Sequence, residues 1–479
     1  MSEKAIYSLV LVLYMGMLVT VGLLTSRKVR NIEDFYIGGR KVGPWVTSLS
    51  YVAAYFSSVV IIGGGGFGYR YGMSTLWIGA INVLLGCTLA WIVLGRRIRE
   101  FTSRLGTMTV PGFLAERFGS RAARILSALI IAVFLVIYNV SILKGMGHVF
   151  EGLMGIPYVY GVLLSGAIIV LYVSLGGYLA VVWTGFLQAW IMGAGLILLT
   201  VGTLKAVGGL SGANLALASI HRGLVETPGV WGWAGLISYC LIVSFGVWGM
   251  PQLVIRFYSI KNVNVLRIGA VVASIGGSMA LLPYFNGAIA RVLHPGLTSP
   301  DLAIPTLTKT VLSPFGGAIF LAGVISAGMS TFASVLIITS SAIVQDFVQK
   351  GLGKALSDKR VFCASRWVSA VAGLISLLIA LRPPALVLVL TAFSWAVIAS
   401  TCLWPLLTGL YWRRATRWGL LSSMIGGSST ALIWTALGSP FNLHGFLPGI
   451  GVALVLLVVV SWATPKLSEE HLARTFTEG

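Results

Sequence analysis

The chain is dominated by apolar runs of about 20 residues, which is the length that a helix needs to cross the hydrocarbon core of a bilayer. Its 479 residues are 57% hydrophobic and only 10% charged. Counting these runs gives about thirteen candidate spans, two of which, Tyr158 to Val182 and Thr184 to Leu204, follow each other directly. Because a backbone in hydrocarbon must pair its own polar groups, long apolar spans fold as helices. The sequence therefore predicts an all-α membrane protein with about 13 transmembrane helices.

The basic residues indicate how the spans are oriented. The formal net charge is +20, and most of the lysines and arginines lie in short loops between spans. Loops rich in these residues stay in the cytoplasm, which places the clusters Arg96 to Arg124 and Lys350 to Arg366 inside. We therefore expect a multi-pass protein of the cell (inner) membrane, with its N-terminus outside and a cytoplasmic tail at residues 465–479. The charge is explained in this way without a nucleic-acid partner.

The acidic residues bear on the coupling ion. All 13 of them lie in loops, in a tail or near the end of a span, and none lies in the middle of a span. Proton-driven carriers usually relay protons through a buried carboxylate or histidine. A coupling cation in this chain would instead be held by neutral oxygens, which suits Na⁺ better than a proton. The sequence also shows no phosphate loop and no catalytic-triad motif, so it does not predict an enzyme.

The stretch from Pro44 to Gly72 is long enough to span the membrane, but Ser57, Ser58 and the run Gly63 to Gly66 interrupt its apolar pattern. Glycine gives the backbone conformational freedom. Non-helical backbone at membrane depth is tolerated only where it lines a cavity or is buried in protein. We interpret this stretch as a broken helix beside a functional site. The alternative is a glycine-rich helix that serves only close packing.

A second interrupted span lies in the other half of the chain, in the segment LIVSFGVWGMPQLVIRF. It contains Gly246 and Gly249, and its Pro251 removes a helix hydrogen bond. Two broken helices five spans apart indicate inverted repeats with a site near the middle of the membrane. The alternative is that Pro251 only follows the cytoplasmic end of a helix.

Five longer segments carry a more specific signal. They are DFYIGGRKVGPWVTSLS, YVSLGGYLAVVWTGFLQ from Tyr172, GMPQLVIRF from Gly249, AGMSTFASVLIITSSAIVQDF from Ala327, and FSWAVIASTCLWPLLTGLYWRRATRWG from Phe393. In this order they resemble the sodium:solute symporter family, whose members carry proline, pantothenate, monocarboxylates, sialic acid or sugars. The resemblance extends from about Asp34 to Gly426.

The resemblance implies a fold of the leucine-transporter (LeuT) type, built from two inverted five-helix repeats. It divides the chain into a leading helix at residues 6–25, a first repeat at residues 44–207, a second repeat at residues 232–412 and two trailing helices at residues 418–464. The cytoplasmic tail, residues 465–479, follows.

The resemblance also implies a sodium site between the first broken helix and the ninth span. The positions that match the ligands of the family are Ala53, Phe56, Ala327, Ser330 and Thr331, of which Ser330 and Thr331 supply hydroxyls and the others backbone carbonyls. Ala327, Ser330 and Thr331 stand at i, i+3 and i+4, so one helix face presents them together. A hard cation prefers such oxygen ligands. The alternative is that the two hydroxyls only bond back to carbonyls one turn earlier.

A departure from the family bears on the number of ions. Members that bind a second sodium ion carry an aspartate in the motif WTDxxQ, where this chain has Gly185 in WTGFLQ. Ala333 replaces a hydroxyl that is often found in the ninth span, although Ser334 remains. We therefore expect one sodium ion per cycle.

The solute is expected beside the two breaks. The positions that match are Tyr55, Ser57, Ser58, Tyr138, Asn139, Val243, Val247 and Trp248. Tyr138 matches a tyrosine in the pocket of the proline carrier, but Tyr55, Val243 and Val247 replace its Asp, Trp and Tyr, which disfavours proline. The sequence favours a small carboxylate, such as a monocarboxylate, an amino acid or a pantothenate-like acid.

Lys144 is a cation well inside an apolar span. An unpaired lysine there would attract the carboxylate of a solute. Because Lys144 lies toward the outer end of its span, its side chain could instead snorkel to the interface.

These features predict sodium-coupled secondary active symport of a small organic solute by alternating access. The partners are the solute and the lipid bilayer, and a monomer is sufficient for function. Three alternatives stay open, namely a proton-driven or sodium-independent carrier of the same fold, a membrane sensor that binds the solute without moving it, and a channel.

Overall fold

The computed structural model describes residues 2–476 apart from residues 28 and 30. Residue 1 and the last three positions of the predicted tail, 477–479, lie outside the described residues. In the described part the regular structure is helical, apart from an isolated parallel bridge between Val42 and Ile260. This bridge joins the segment before the first broken helix to the end of the second broken helix.

Among the described residues, the first half of the chain contains ten α-helices. They are α1 (Glu3–Ser26), α2 (Ile32–Ile37), α3 (Pro44–Tyr55), α4 (Gly64–Tyr71), α5 (Leu76–Ile81), α6 (Ala90–Leu105), α7 (Val110–Phe118), α8 (Arg121–Val149), α9 (Tyr158–Ala206) and α10 (Gly209–Ile220). Three π-helical segments extend them, at Val59–Gly63, Asn82–Leu89 and Phe150–Met154.

The second half, as far as residue 476, contains eleven α-helices. They are α11 (Gly232–Gly249), α12 (Pro251–Ser259), α13 (Val265–Ser278), α14 (Leu281–Leu293), α15 (Ala303–Val311), α16 (Pro314–Ser341), α17 (Asp358–Ala380), α18 (Val387–Tyr411), α19 (Arg417–Ala436), α20 (Phe446–Ala463) and α21 (Glu469–Thr475). A π-helical segment, Ala342–Gly351, continues α16.

Ten helical segments among the described residues are long and apolar enough to cross a membrane. This agrees with a multi-span membrane protein, but the expected number of about thirteen spans is not confirmed. Part of the difference comes from short pieces. Helix α3 has only 12 residues because it is one half of a broken helix, and Tyr158–Val170 is a shorter apolar helix.

Helix α9 contains two of the predicted spans, and their division differs from the expected one. The kink lies at Gly177, with φ 57° and ψ −156°, rather than between Val182 and Thr184. This region of backbone conformation is essentially restricted to glycine. A Cβ atom at Gly177 would also lie 2.5 Å from a ring carbon of Phe35. The sequence reading placed the division too late because the apolar pattern continues past the kink.

Helix α16 runs through the centre of the bundle. All its residues from Phe320 to Ser341 are buried, and it packs against α1, α8, α9 and α3. A helix that is apolar on every side suits such a central position. The few hydroxyls on α16 are therefore held deep inside the protein, where they must find partners.

Candidate functional site

The first predicted break is present at the end of α3. Phe56 follows Tyr55 in an extended conformation, with φ −79° and ψ 100°. The chain returns to helical geometry in the π-helical segment Val59–Gly63 and continues as α4. The Ser57 hydroxyl supports this restart by accepting a hydrogen bond from the Val59 amide at 3.2 Å. The break leaves carbonyls at the end of α3 without their usual amide partners.

Two hydroxyls of α16 reach these carbonyls. Ser330 Oγ donates to the Ala53 carbonyl at 2.7 Å, and Thr331 Oγ1 donates to the Ala54 carbonyl at 3.0 Å. Both hydroxyls also lie near the Ala327 carbonyl of their own helix, at 3.0 and 3.2 Å. Four of the five residues expected at the sodium site thus come together, and the hydroxyls reach across to α3 as well as back along α16.

The oxygens outnumber the protons in this cluster. Each hydroxyl has a single proton, yet each lies within hydrogen-bond distance of two carbonyls. The surplus lone pairs create a negative potential without a formal charge. A hard monovalent cation such as Na⁺ matches this set of neutral oxygens. Among the described residues no group of three or more His, Cys, Asp or Glu side chains offers a different kind of metal site.

Two positions complete this description. Phe56, the fifth expected residue, is fully buried and forms the break itself. The Ala54 carbonyl was not among the expected ligands, although the sequence held a signal for it. The signal is the adjacency of Ser330 and Thr331 on α16, whose hydroxyls donate to the adjacent carbonyls of Ala53 and Ala54 on α3.

Several buried polar groups near the break lack partners in the described part of the chain. Both amide atoms of Asn139 and the indole nitrogen of Trp395 have no hydrogen bond. Trp395 packs edge-on against Tyr138, with 5.7 Å between the ring centroids. Trp395 was missed by the sequence reasoning, although it lies in the segment FSWAVIAS. Unpaired buried donors and acceptors of this kind can be satisfied by a polar ligand.

Other expected solute contacts already serve helix packing. Ser58 Oγ donates to the Ile142 carbonyl of α8 at 2.8 Å, and the Trp248 indole donates to the Leu85 carbonyl at 2.8 Å. Tyr55 is buried and stacks on Tyr51, with 6.4 Å between the centroids.

The two valines expected at the site lie one turn apart on α11. Val247 is buried and Val243 is partly buried.

The second predicted break is also present. Helix α11 ends at Gly249, Met250 is extended with φ −84° and ψ 113°, and α12 begins at Pro251. Pro251 therefore begins a second helical piece and does not simply follow the end of a helix.

Lys144 is paired inside the protein. Its side chain is 11% exposed, and its Nζ lies 3.3 Å from Asp301 Oδ2 and donates to the Ala385 carbonyl at 3.0 Å. The Val387 amide at the start of α18 also donates to Asp301 Oδ2, at 3.3 Å. The anion that Lys144 contacts here is thus a carboxylate of the chain itself, and the side chain is held inside the protein.

The sequence matches the model of the sodium:solute symporter family over residues 35–427. The osmoregulated proline transporter of Bacillus subtilis (strain 168) is 31% identical over 465 residues, which cover 95% of this chain and 94% of that protein. The high-affinity proline transporter of the same organism is 30% identical, with coverage of 94% and 96%.

Two solved structures share the fold. A Na⁺-coupled sialic acid symporter in a substrate-bound outward-open state aligns with a TM-score of 0.83 at 18% identity, over 97% of this chain and 99% of that one. The nucleobase-cation-symport-1 family transporter Mhp1, in a closed conformation, aligns with a TM-score of 0.61 at 16% identity, over 92% and 97%. These likenesses confirm the expected all-α membrane fold of the LeuT type.

Proposed function

Because this chain belongs to the sodium:solute symporter family, we propose that it couples the entry of one sodium ion per cycle to the uptake of a small organic solute that carries a carboxylate. It is a multi-pass membrane transporter and not an enzyme, and Na⁺ is its coupling ion. The proposal places it in the cell membrane with its N-terminus outside and its C-terminus in the cytoplasm, as a functional monomer.

The oxygen cluster at the first break is the observation that carries this proposal. Sodium bound between Ala53, Ala327, Ser330 and Thr331 would hold α3 against α16, because its ligands come from both helices. In the proposed division α3 belongs to the first repeat, residues 44–207, and α16 to the second, residues 232–412. Binding of sodium then favours one arrangement of the two repeats, and a solute that prefers the same arrangement binds more tightly. This coupling is reciprocal, so the solute must also tighten the binding of sodium.

Two lines of evidence bear on the solute, and they disagree about proline. The relatives named above are proline transporters, whereas Tyr55, Val243 and Val247 disfavour proline. Both lines are compatible with a small solute that carries a carboxylate. The restart of the first broken helix after Ser57 supports this class, because the N-terminal end of a half-helix attracts an anionic group. Proline is the first candidate in the class.

The test is uptake of radiolabelled proline into proteoliposomes that contain the purified protein. Other small amino acids, monocarboxylates and pantothenate serve as competitors. An inward sodium gradient should drive uptake, and replacing sodium by potassium should abolish it. Uptake of any of these solutes at an equal rate in potassium would overturn the proposal of sodium coupling. Absence of proline uptake together with sodium-driven uptake of radiolabelled lactate or pantothenate would identify the solute differently within the same class.

A variant links the coupling to the cluster. Ser330→Ala combined with Thr331→Ala removes both hydroxyls, and we expect the half-saturating sodium concentration to rise by about 100-fold or more, since each lost ion contact is worth about 1.5–3 kcal/mol. Ser340→Ala is the matched control, because in the described part of the chain its hydroxyl bonds only to the Ile337 carbonyl of α16, at 2.8 Å. Equal sodium dependence in the double variant and in the control would place the sodium site elsewhere.

A further inference from the structure

A cavity of about 570 Å³ lies between the start of α8 and the segment that continues α16. Its lining comes from two stretches of the chain, residues 115–124 and residues 349–355, and shares no residue with the proposed sodium site. The volume is within the usual range of ligand pockets, about 300–1,000 Å³. The chemistry of the lining indicates which kind of ligand it suits.

The lining carries an excess of positive charge. Four of its side chains are basic and one, Glu116, is acidic. Arg124 is buried and already bonds to Glu116 Oε1 at 2.6 Å and to Asp346 Oδ1 at 3.2 Å. The other three basic side chains form no salt bridge in the described part of the chain. They are Arg121, Lys350 and Lys354. The carboxylate of the lining is thus engaged, and three cations remain to attract an anion.

The turn after α16 is folded around Arg121. Arg121 Nε donates to the Gly351 carbonyl, and a Cβ atom at Gly353 would lie 3.7 Å from Arg121 Nη2. The amide of Lys354 donates back to the Val348 carbonyl at 3.4 Å. The bond at Nε holds the guanidinium in place. Its two Nη nitrogens have no hydrogen-bond partner among the described residues, so they can donate to the oxygens of an anion.

The cavity lies at the ends of two membrane spans. The segments Arg121–Met154 and Pro314–Gly351 are both long and apolar enough to cross a bilayer, and the cavity is where the first begins and the second ends. Farther along α8, Leu129 and Val133 are 43% and 54% exposed, and Leu352 in the turn is 47% exposed. In a bilayer such apolar side chains contact acyl chains, whereas cations at the end of a span meet the headgroups. The basic cavity and the apolar surface together suit an amphipathic anion.

We propose that this cavity binds the phosphate-bearing headgroup of an anionic phospholipid such as phosphatidylglycerol, with its acyl chains along the exposed apolar side of α8. The phosphate oxygens accept hydrogen bonds from the planar guanidinium of Arg121, and Lys350 and Lys354 add charge. The N-terminal end of α8 contributes its helix dipole. Phosphatidylcholine carries its own cation beside the phosphate, so the cavity attracts it less. This site goes beyond the proposed transport activity and does not depend on the sodium cluster.

The test is native mass spectrometry of the full-length protein, purified in a neutral detergent, which measures the apparent dissociation constant of the first bound lipid. Phosphatidylglycerol, phosphatidylcholine and inorganic phosphate are titrated separately. The wild type should bind phosphatidylglycerol about tenfold or more tightly than phosphatidylcholine, and phosphate only weakly. Arg121→Gln combined with Lys350→Gln should weaken the binding of phosphatidylglycerol about 30-fold, because each basic residue near an anionic lipid contributes about fivefold.

Lys359→Gln combined with Arg360→Gln is the matched control. It removes two positive charges just after the turn, from side chains that are exposed and do not line the cavity. Because basic loops are common on the cytoplasmic side of membrane proteins, this variant measures the general attraction of such a surface. Charges that do not contact the headgroup are screened by salt, so the dissociation constant for phosphatidylglycerol should stay within about threefold of the wild type.

Equal weakening in the two double variants would overturn the site, because general attraction would then explain the binding. Unchanged binding in Arg121→Gln with Lys350→Gln would overturn it as well, and inorganic phosphate that binds as tightly as phosphatidylglycerol would overturn the assignment to a lipid. If that variant does not fold, Lys350→Gln with Lys354→Gln replaces it, since both of these side chains are exposed. Sodium-driven uptake decides the proposed function separately, so either idea can fail without the other.

Discussion

The two broken helices interrupt the chain by different means and have different surroundings. The first break, at Phe56, is followed by serines, and hydroxyls of another helix reach its free carbonyls. The second break, at Met250, is followed by Pro251, which has no amide proton to donate. Here the backbone packs closely against α18, since a Cβ atom at Gly249 would lie only 2.8 Å from Ala399 Cα.

The difference shows that a broken helix in a membrane protein is not a binding site by itself. A break creates free carbonyls, and what surrounds them decides their use. At the first break Ser330 and Thr331 leave the oxygens with too few protons, which suits a cation. At the second break the neighbouring helix approaches so closely that little space remains. Three substitutions test this contrast.

The largest effect is expected at the second break. In Gly249→Val the new side chain would overlap the backbone of α18, because the Cβ contact is with Ala399 Cα at 2.8 Å. Overpacking costs about 1–3 kcal/mol and occasionally more, and a clash with backbone, which cannot move like a side chain, lies at the upper end. We expect a large loss of folded protein and a strongly reduced apparent melting temperature in detergent.

The control for this variant lies on the same helix. A Cβ atom at Gly246 would lie 3.5 Å from a ring carbon of Trp395, an ordinary contact. Gly246→Ala should therefore fold normally. If Gly249→Val has the yield and melting temperature of the wild type, close packing does not define the second break.

Much of this contrast could be predicted from the sequence. Serine, glycine and proline mark both interruptions, and the spacing of Ala327, Ser330 and Thr331 places three groups on one helix face. These signals are local, so the sequence displays them directly. The division of α9 at Gly177 was misplaced because nothing in the apolar pattern changes there.

The pairings between distant segments could not be predicted. Asp301 belongs to a loop in the sequence, but it folds back to meet Lys144 and the start of α18. Arg256 stands within an apolar segment near a span end, and only the packing of α12 against α16 brings it to Ser334. Such contacts depend on the relative positions of whole helices, about which residue spacing within one helix carries no information.

The second substitution tests the first break with a change of similar shape. Thr331→Val replaces one hydroxyl by a methyl group, so the contact with the Ala54 carbonyl is lost. Losing one oxygen that contacts the cation costs about 2 kcal/mol of binding free energy, which corresponds to roughly 30-fold weaker binding of sodium. Thr331→Ser keeps the hydroxyl and should keep most of the affinity. A sodium titration of each purified variant, followed by intrinsic tryptophan fluorescence, measures the two sodium affinities. Equal affinity in Thr331→Val and Thr331→Ser would remove Thr331 from the site.

The smallest effect is expected at Ser58, which lies beside the first break but bonds to α8 and not to the oxygen cluster. Its hydroxyl donates to the Ile142 carbonyl of α8, so Ser58→Ala removes one neutral hydrogen bond between helices, worth about 1 kcal/mol of folding stability. We expect a small decrease in the apparent melting temperature and no change in the sodium concentration that half-saturates binding. A shift in sodium affinity as large as that of Thr331→Val would show that the site extends past the break to Ser58. The two breaks would then differ in the length of non-helical backbone that contacts sodium, and not in the two hydroxyls of α16.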